Sequence, residues 1–261
     1  MHITKIPGFG RFGIFIDNID LDNLSSSEWA EIAMLQSRFL LVILRNVTLS
    51  EPDRYSRLLR HVGNQAWQNT RADSYLDEWK PLPNIESSTV HRWVWDQQMW
   101  VSSILCQHNT LSSSSFLQTV DWYEAQSYSF KQELNEVVLV HQEDDCLFEK
   151  PLVVTTAGGD KGIHYSSGKR LVVKGMSPEE SKTLFDTIDS TLIDEKNVYR
   201  LAHGLGNNLC LVDNLACSHE WQSIDTDSTA HVLYHNFSKI FPEYSPFTTE
   251  PYRSKYKNIA T

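Results

Sequence analysis

The chain is expected to be α+β, with a core of short strands closed into an antiparallel barrel or jelly roll and flanked by helices. Three observations support this expectation. Short apolar or alternating runs recur from end to end, helical signals gather in two blocks, and 261 residues at 41% hydrophobic and 11% aromatic suffice for one large core. A single domain over residues 1–261 follows, since β-barrels of this length are routinely one unit.

The elements follow in order. "FGRFGIFI" reads as a strand, and "SSSEWAEIAMLQSRF" as a helix in which Ser25 and Glu28 form a capping box ahead of apolar residues at helical spacing. "LLVILRNV" is a buried strand. Ser50, Pro52 and Gly63 then cap, start and stop a second helix. From about 64 to 100 periodicity is lost in a polar stretch holding Trp67, Trp79, Trp93, Trp95 and Trp100, and a long loop this aromatic is expected to cover a site. "SSILCQ" resumes the strands, "VDWYEAQSYSFKQEL" is a helix, and "NEVVLVHQ" and "KPLVVTT" are strands. "MSPEESKTLFDTI" is a helix capped by Ser177 with Pro178 in its first turn and Glu180 completing the box. "NVYRLAH", "NLCLVDN" and "STAHVLYHNFS" close the strand set before an irregular tail rich in Pro and Tyr.

A formal charge of -10 with no basic cluster interleaved with aromatics disfavours a phosphate backbone as ligand, so a small molecule is expected. The longest apolar run, "FLLVIL", is far too short to span a bilayer, and the N-terminus shows no apolar signal core, so a soluble cytoplasmic protein is expected. Cys106, Cys146, Cys210 and Cys217 form no C-x-x-C pair and read as free thiols. "GLGNN" is a turn and lacks the Lys-Ser/Thr of a phosphate loop.

The segment "CLVDNLACSHEW", a strand running through Asp213-Asn214 to His219, resembles the distal metal-ligand segment of the taurine dioxygenase (TauD/TfdA) family of Fe(II)/2-oxoglutarate oxygenases. "FLLVILRNVTLSEPDRYSRLLRHVG", "SSSSFLQTVDWYEAQSYSFKQEL" and "KPLVVTTAGGDKGIHYSSG" with "GMSPEESKTLF" are similar to further segments of that family, in the same order and over nearly the whole chain. "FGRFGIFI", "VWDQQMW" and "VDNLACSHEW" are most similar to its PvcB-like, isonitrile-forming branch. The resemblance implies a double-stranded β-helix core and a site for Fe(II) and 2-oxoglutarate at the barrel mouth.

That chemistry needs His-x-Asp/Glu and a distal His, with open positions left on the iron. His219 matches the distal ligand. For the proximal pair, aligning on Trp-Asp puts Asp96 at the carboxylate and Val94, which cannot ligate, where His belongs. Aligning on His91 instead puts Trp93 at the carboxylate, so either way one ligand is missing. The family's Arg clamp on the cofactor carboxylate is matched by Ala230, or by His231 with a one-residue shift, and no Arg lies between Arg200 and Arg253. Ser114 matches a Thr that often touches 2-oxoglutarate. The resemblance thus implies the fold together with a degenerate metal triad: Fe(II) remains a candidate cofactor and 2-oxoglutarate a doubtful one.

His231 and His235 share one face of a strand and would serve as acid/base or ligand-binding groups if that face lines the barrel. Trp93, Trp95 and Trp100 would stack on a flat substrate or pack in the core. Asp213 and Asn214 read as turn-shaping residues. Cys217, on a loop two residues before His219, is expected to be structural. Three functions remain open: an iron oxygenase acting on a small amino-acid-derived metabolite in a biosynthetic pathway; a redox-neutral lyase, isomerase or hydrolase using His219, His231 and Asp96; or a silent subunit, in a homo- or hetero-oligomer, that pairs with an active relative.

Overall fold

The computed structural model describes residues 1–48, 80–81, 101–106, 112–143, 146–156, 158–164, 171–203, 207–213, 215–223 and 230–235. Its strands are β1 (His2–Lys5), β2 (Gly13–Asp17), β3 (Leu41–Arg45), β4 (Lys80–Pro81), β5 (Val101–Cys106), β6 (Ser112–Gln118), β7 (Val138–Glu143), β8 (Cys146–Pro151), β9 (Val153–Thr155), β10 (Lys161–Ile163), β11 (Leu171–Val173), β12 (Val198–His203), β13 (Asn208–Asp213), β14 (Cys217–Ser223) and β15 (Ala230–His235). Its helices are α1 (Ser26–Phe39), α2 (Val120–Glu124), α3 (Tyr128–Glu136) and α4 (Pro178–Leu192). The helix expected over 50–63 and the aromatic loop at 64–100 fall outside the described residues, apart from the two-residue β4.

Seven strands form the larger sheet in the order β1-β2-β3-β13-β5-β15-β4, and β12-β6-β14 form a smaller one. Every pair is antiparallel except β2 with β3. That exception has a local cause: α1 crosses over between β2 and β3, and a helical crossover returns the chain in the same direction.

The two sheets share one interior. Phe15, Leu41, Ile43, Cys210 and Val212 of the larger sheet cluster with Phe116, Leu201 and Cys217 of the smaller. Alternation along each strand then assigns the remaining residues. Leu117 and Val198, on the outer face of the smaller sheet, join Trp122, Leu134, Leu184, Ile188 and Leu192 of the helices in a second cluster. Helix α1 lies on β3 and β13. The architecture is therefore a jelly-roll barrel flanked by helices, in agreement with the expected fold class.

Capping at α1 and α4 follows the sequence reading. Ser25 and Ser177 accept from the backbone N–H of Glu28 and Glu180, whose carboxylates accept from the cap backbones in return; such a box contributes about 1 kcal/mol. The single helix expected over "VDWYEAQSYSFKQEL" is instead two. Ser127 adopts an extended conformation and caps α3 through Phe130 N–H, which a residue inside a continuous helix cannot do. "KPLVVTT" likewise splits, with Leu152 between β8 and β9. Strands β1, β4, β6, β10, β11 and β14 were not expected, being too short or, like β14 and the 112–115 stretch of β6 that reads as part of a polar connection, too polar to read as strands.

One junction holds the start of β14. Thr119 is fully buried; its Oγ1 donates to the Ala216 carbonyl at 3.0 Å and accepts from Ile163 N–H at 3.0 Å, while its own N–H bonds the same carbonyl. Gly162 faces this junction, where an added Cβ would lie 2.7 Å from Thr119 Oγ1 and 3.0 Å from Ala216 Cβ. Gly162→Ala is expected to destabilise the fold by roughly 1–3 kcal/mol through overpacking, read as a lower urea midpoint at unchanged slope; an unchanged midpoint contradicts the junction.

Candidate functional site

The smaller sheet carries Ser114 and His219 on its inward face. In β6, Phe116 belongs to the interior cluster, so Ser114, two residues earlier, lies on the same face; it is 1% exposed. In β14, Cys217 belongs to that cluster, which sets His219 on the interior face as well. His219 is therefore on a strand, not the loop expected, and it shares a face with Cys217.

His219 is 8% exposed and makes no hydrogen bond among the described residues. Its Cα partner on β6 is Phe116, whose own partner on β12 is Tyr199. Burial lowers the imidazole pKa to about 4, because the charged ring has lost water and gained no counter-charge. At neutral pH the ring is uncharged.

Cys217 is equally dry. Burial raises its pKa well above the ordinary value, and the nearby Asp213 carboxylate raises it further, so the sulfur stays a thiol. Its Sγ donates weakly to the Ser218 carbonyl at 3.4 Å. The structural reading of Cys217 stands, now for a different reason: it faces the same side as His219 but is packed in the core.

Asp213 ends β13. Its Oδ1 accepts from Leu215 N–H at 2.8 Å, and its own N–H donates to the Leu40 carbonyl at 2.7 Å. This is the turn-shaping role read from the sequence. Its carboxyl is 4% exposed, and burial pushes its pKa up to about 7 despite the N–H groups of Leu215 and Ala216.

Register places the β15 residues. Ala230, Val232 and Tyr234 pair through Cys106, Ile104 and Ser102 with Asn208, Cys210 and Val212, the barrel-lining row of β13. The positions of His231 and His235 pair through Leu105 and Val101 with Leu209 and Asp213, the opposite face. Ala230 is thus the β15 residue on the interior row at the clamp position. His91, Trp93, Trp95, Asp96 and Trp100 lie outside the described residues. The chain enters β5 at Val101, the Cα partner of Asp213.

A polar row absent from the sequence reading crosses the other end of the larger sheet. Asp17, Arg45 and Asn208 are successive Cα partners on β2, β3 and β13. Arg45 Nε and Nη2 donate to Asp17 Oδ1 and Oδ2 at 2.7 and 2.9 Å, and the guanidinium lies 4.1 Å over the Phe15 ring. This pair holds the Asp17 carboxyl below its usual range. Asn208 is 7% exposed, and its amide has no partner among the described residues. A polar residue opening the otherwise apolar run "NLCLV" was the available signal.

No family model matches the chain, and no curated protein matches it. Solved structures do. A taurine dioxygenase from Burkholderia xenovorans is 19% identical, with a TM-score of 0.68 over 89% of this chain and 90% of that one. AAD-2, solved in complex with Mn(II) and N-oxalylglycine, is 14% identical, with a TM-score of 0.70 over 90% of this chain and 98% of that one. The chain has the TauD-like dioxygenase fold. Among the described residues no helix is long and apolar enough to cross a membrane.

The two perturbed groups oppose each other in their effect on stability. His219 binds a proton more readily unfolded than folded, so its contribution is complete above about 6.5 and is lost as pH falls toward about 4. Asp213 binds a proton more readily folded, so its contribution is present below 3.8 and is lost as pH rises toward about 7. Relative to the unsubstituted chain, the unfolding free energy of Asp213→Asn is expected to climb more steeply between pH 4 and 6.5, and that of His219→Gln less steeply or downward, over the same window. Parallel profiles for the two variants contradict the assigned burial.

Proposed function

We propose that the chain is a divergent member of the TauD-like non-haem iron oxygenase superfamily, acting in the cytoplasm on a small amino-acid-derived metabolite of a biosynthetic pathway, without ordinary 2-oxoglutarate turnover. The observation that supports this reading is His219: a buried, neutral imidazole without a hydrogen-bond partner among the described residues, facing the interior of the barrel. An uncharged ring nitrogen is what a divalent metal takes as a ligand. The same ring is a poor proton carrier at neutral pH, because general acid/base groups work best when their pKa lies near the working pH. The redox-neutral alternative is therefore less favoured.

Among the described residues no group of three His, Cys, Asp or Glu could hold a metal. Among the described interior residues this reading assigns one ligand, His219. In this reading Asp96 or His91 adds a second ligand from the segment leading into β5, which joins the sheet beside Asp213, and a third group that the sequence does not identify completes the set. Iron bound there would supply the oxidising chemistry. The chain's own part is to hold the ligand nitrogen in place through the Thr119 junction, to offer the Ser114 hydroxyl to a bound molecule, and to exclude water, with Trp93, Trp95 and Trp100 assigned as cover.

The clamp is the point of divergence. Ala230 stands on the interior row and offers no donor, while His231 takes the opposite face. Neither reproduces the bidentate guanidinium–carboxylate pair that family members use. The resemblance to the isonitrile-forming branch supports the metabolite class.

Anaerobic titration of metal-stripped protein with Fe(II) is expected to show saturable binding that His219→Ala weakens at least tenfold, with no chelate absorption band when 2-oxoglutarate is added. Absence of iron binding would retire the metal reading. A saturable band would show that another group replaces the clamp and that ordinary turnover operates.

A further inference from the structure

We infer that Arg45, Asn208 and Tyr199 form a carboxylate-binding subsite at the end of the barrel away from the Asp213 turn, and that the small molecule turned over near His219 is a monocarboxylate with an apolar body. This inference rests on the reading that the barrel interior is the ligand site, and it specifies what that interior takes.

Three features converge there. Arg45 uses Nε and Nη2 on Asp17, and among the described residues its Nη1 makes no hydrogen bond, so further N–H donors remain. Bidentate pairing with Asp17 and stacking over Phe15 fix the plane of the fork, so little side-chain entropy is lost when a ligand takes the remaining donors. Asn208, the Cα partner of Arg45, is 7% exposed, and its amide makes no hydrogen bond among the described residues, so it is available to a ligand. Tyr199 reaches the same region from the smaller sheet: its ring packs edge-on against Phe15, and its hydroxyl feels the Arg45 charge. That hydroxyl also makes no hydrogen bond among the described residues.

The row also explains how a barrel without the β15 clamp can still hold an anion. Asp17, Arg45, Asn208, Cys106 and Ala230 are consecutive Cα partners across five strands. The cation therefore occupies the same row as Ala230, three strands away, or about 14 Å at the usual strand spacing. An anion held by Arg45 takes a different direction through the barrel.

Tyr199 and His219 lie in one row of the smaller sheet with Phe116 between them, so their Cα atoms are about 10 Å apart. The Phe116 and Tyr199 rings stack at 6.4 Å, and Leu201 and Val212 are in the same cluster. A molecule with its carboxylate on Arg45 and Asn208 would direct an apolar body toward this cluster and His219 beyond it.

The test uses metal-free full-length protein and calorimetric titration with 4-methylpentanoate, with 4-methylpentanamide as the uncharged control. The carboxylate is expected to bind saturably and the amide at least tenfold more weakly. Asn208→Leu and Tyr199→Phe, which leave the Arg45–Asp17 pair intact, are each expected to weaken carboxylate binding about tenfold without lowering the melting temperature. Absence of carboxylate binding, equal affinity for the amide, or unchanged affinity in both variants overturns the inference. Since no metal is present, the result separates cleanly from the iron titration: carboxylate binding without iron binding overturns the His219 reading alone, and iron binding without carboxylate binding overturns the subsite alone.

Discussion

The structure depends on the packing of two sheet faces against each other. Phe15, Leu41, Ile43, Cys210 and Val212 from one sheet and Phe116, Leu201 and Cys217 from the other exclude water from the interior they enclose. Once that interior is dry, every polar atom placed in it is altered. His219 loses its charge and Cys217 keeps its proton, and on the opposite face of β13 burial likewise pushes the Asp213 carboxyl up to about 7. Desolvation is the largest cause of each perturbation, and they appear where the apolar alternation of β13 and β14 is interrupted.

The same constraint sets which residues can take part in chemistry. Strand alternation fixes the interior row, and register carries it from strand to strand, so a shift of one residue moves a side chain to the opposite face. Ala230 and His231 are adjacent in sequence yet lie on opposite faces of the sheet, so the two alignments of the clamp are not equivalent. Conversely, Asp17, Arg45 and Asn208 are remote in sequence but adjacent on one row because β13 inserts between β3 and β5.

Much of this was legible in the chain. The capping boxes at Ser25 and Ser177 and the buried strands β3 and β13 follow from local chemistry, and the order of segments pointed to the jelly roll. His219 and Ser114 were singled out through the resemblance, and both are buried. What stayed hidden was long-range. "CSHEWQS" is too polar to read as a strand, and β14 exists because β6 pairs with it and the Thr119 junction holds its start. The Ser127 cap divides a helix whose apolar spacing looks continuous. The polar row at Arg45 and Asn208 is a product of sheet order, which no local pattern encodes.

The central claim is that His219 lies in a dry barrel interior as a neutral imidazole. Nitrogen-detected NMR of His-labelled protein, with the His219 ring assigned by comparison with His219→Gln, measures this directly as pH is lowered. The account predicts a ring that remains neutral through pH 6 and titrates near 4, if the fold persists that far. A midpoint near the ordinary 6.5 would place the imidazole in water and contradict the site as described.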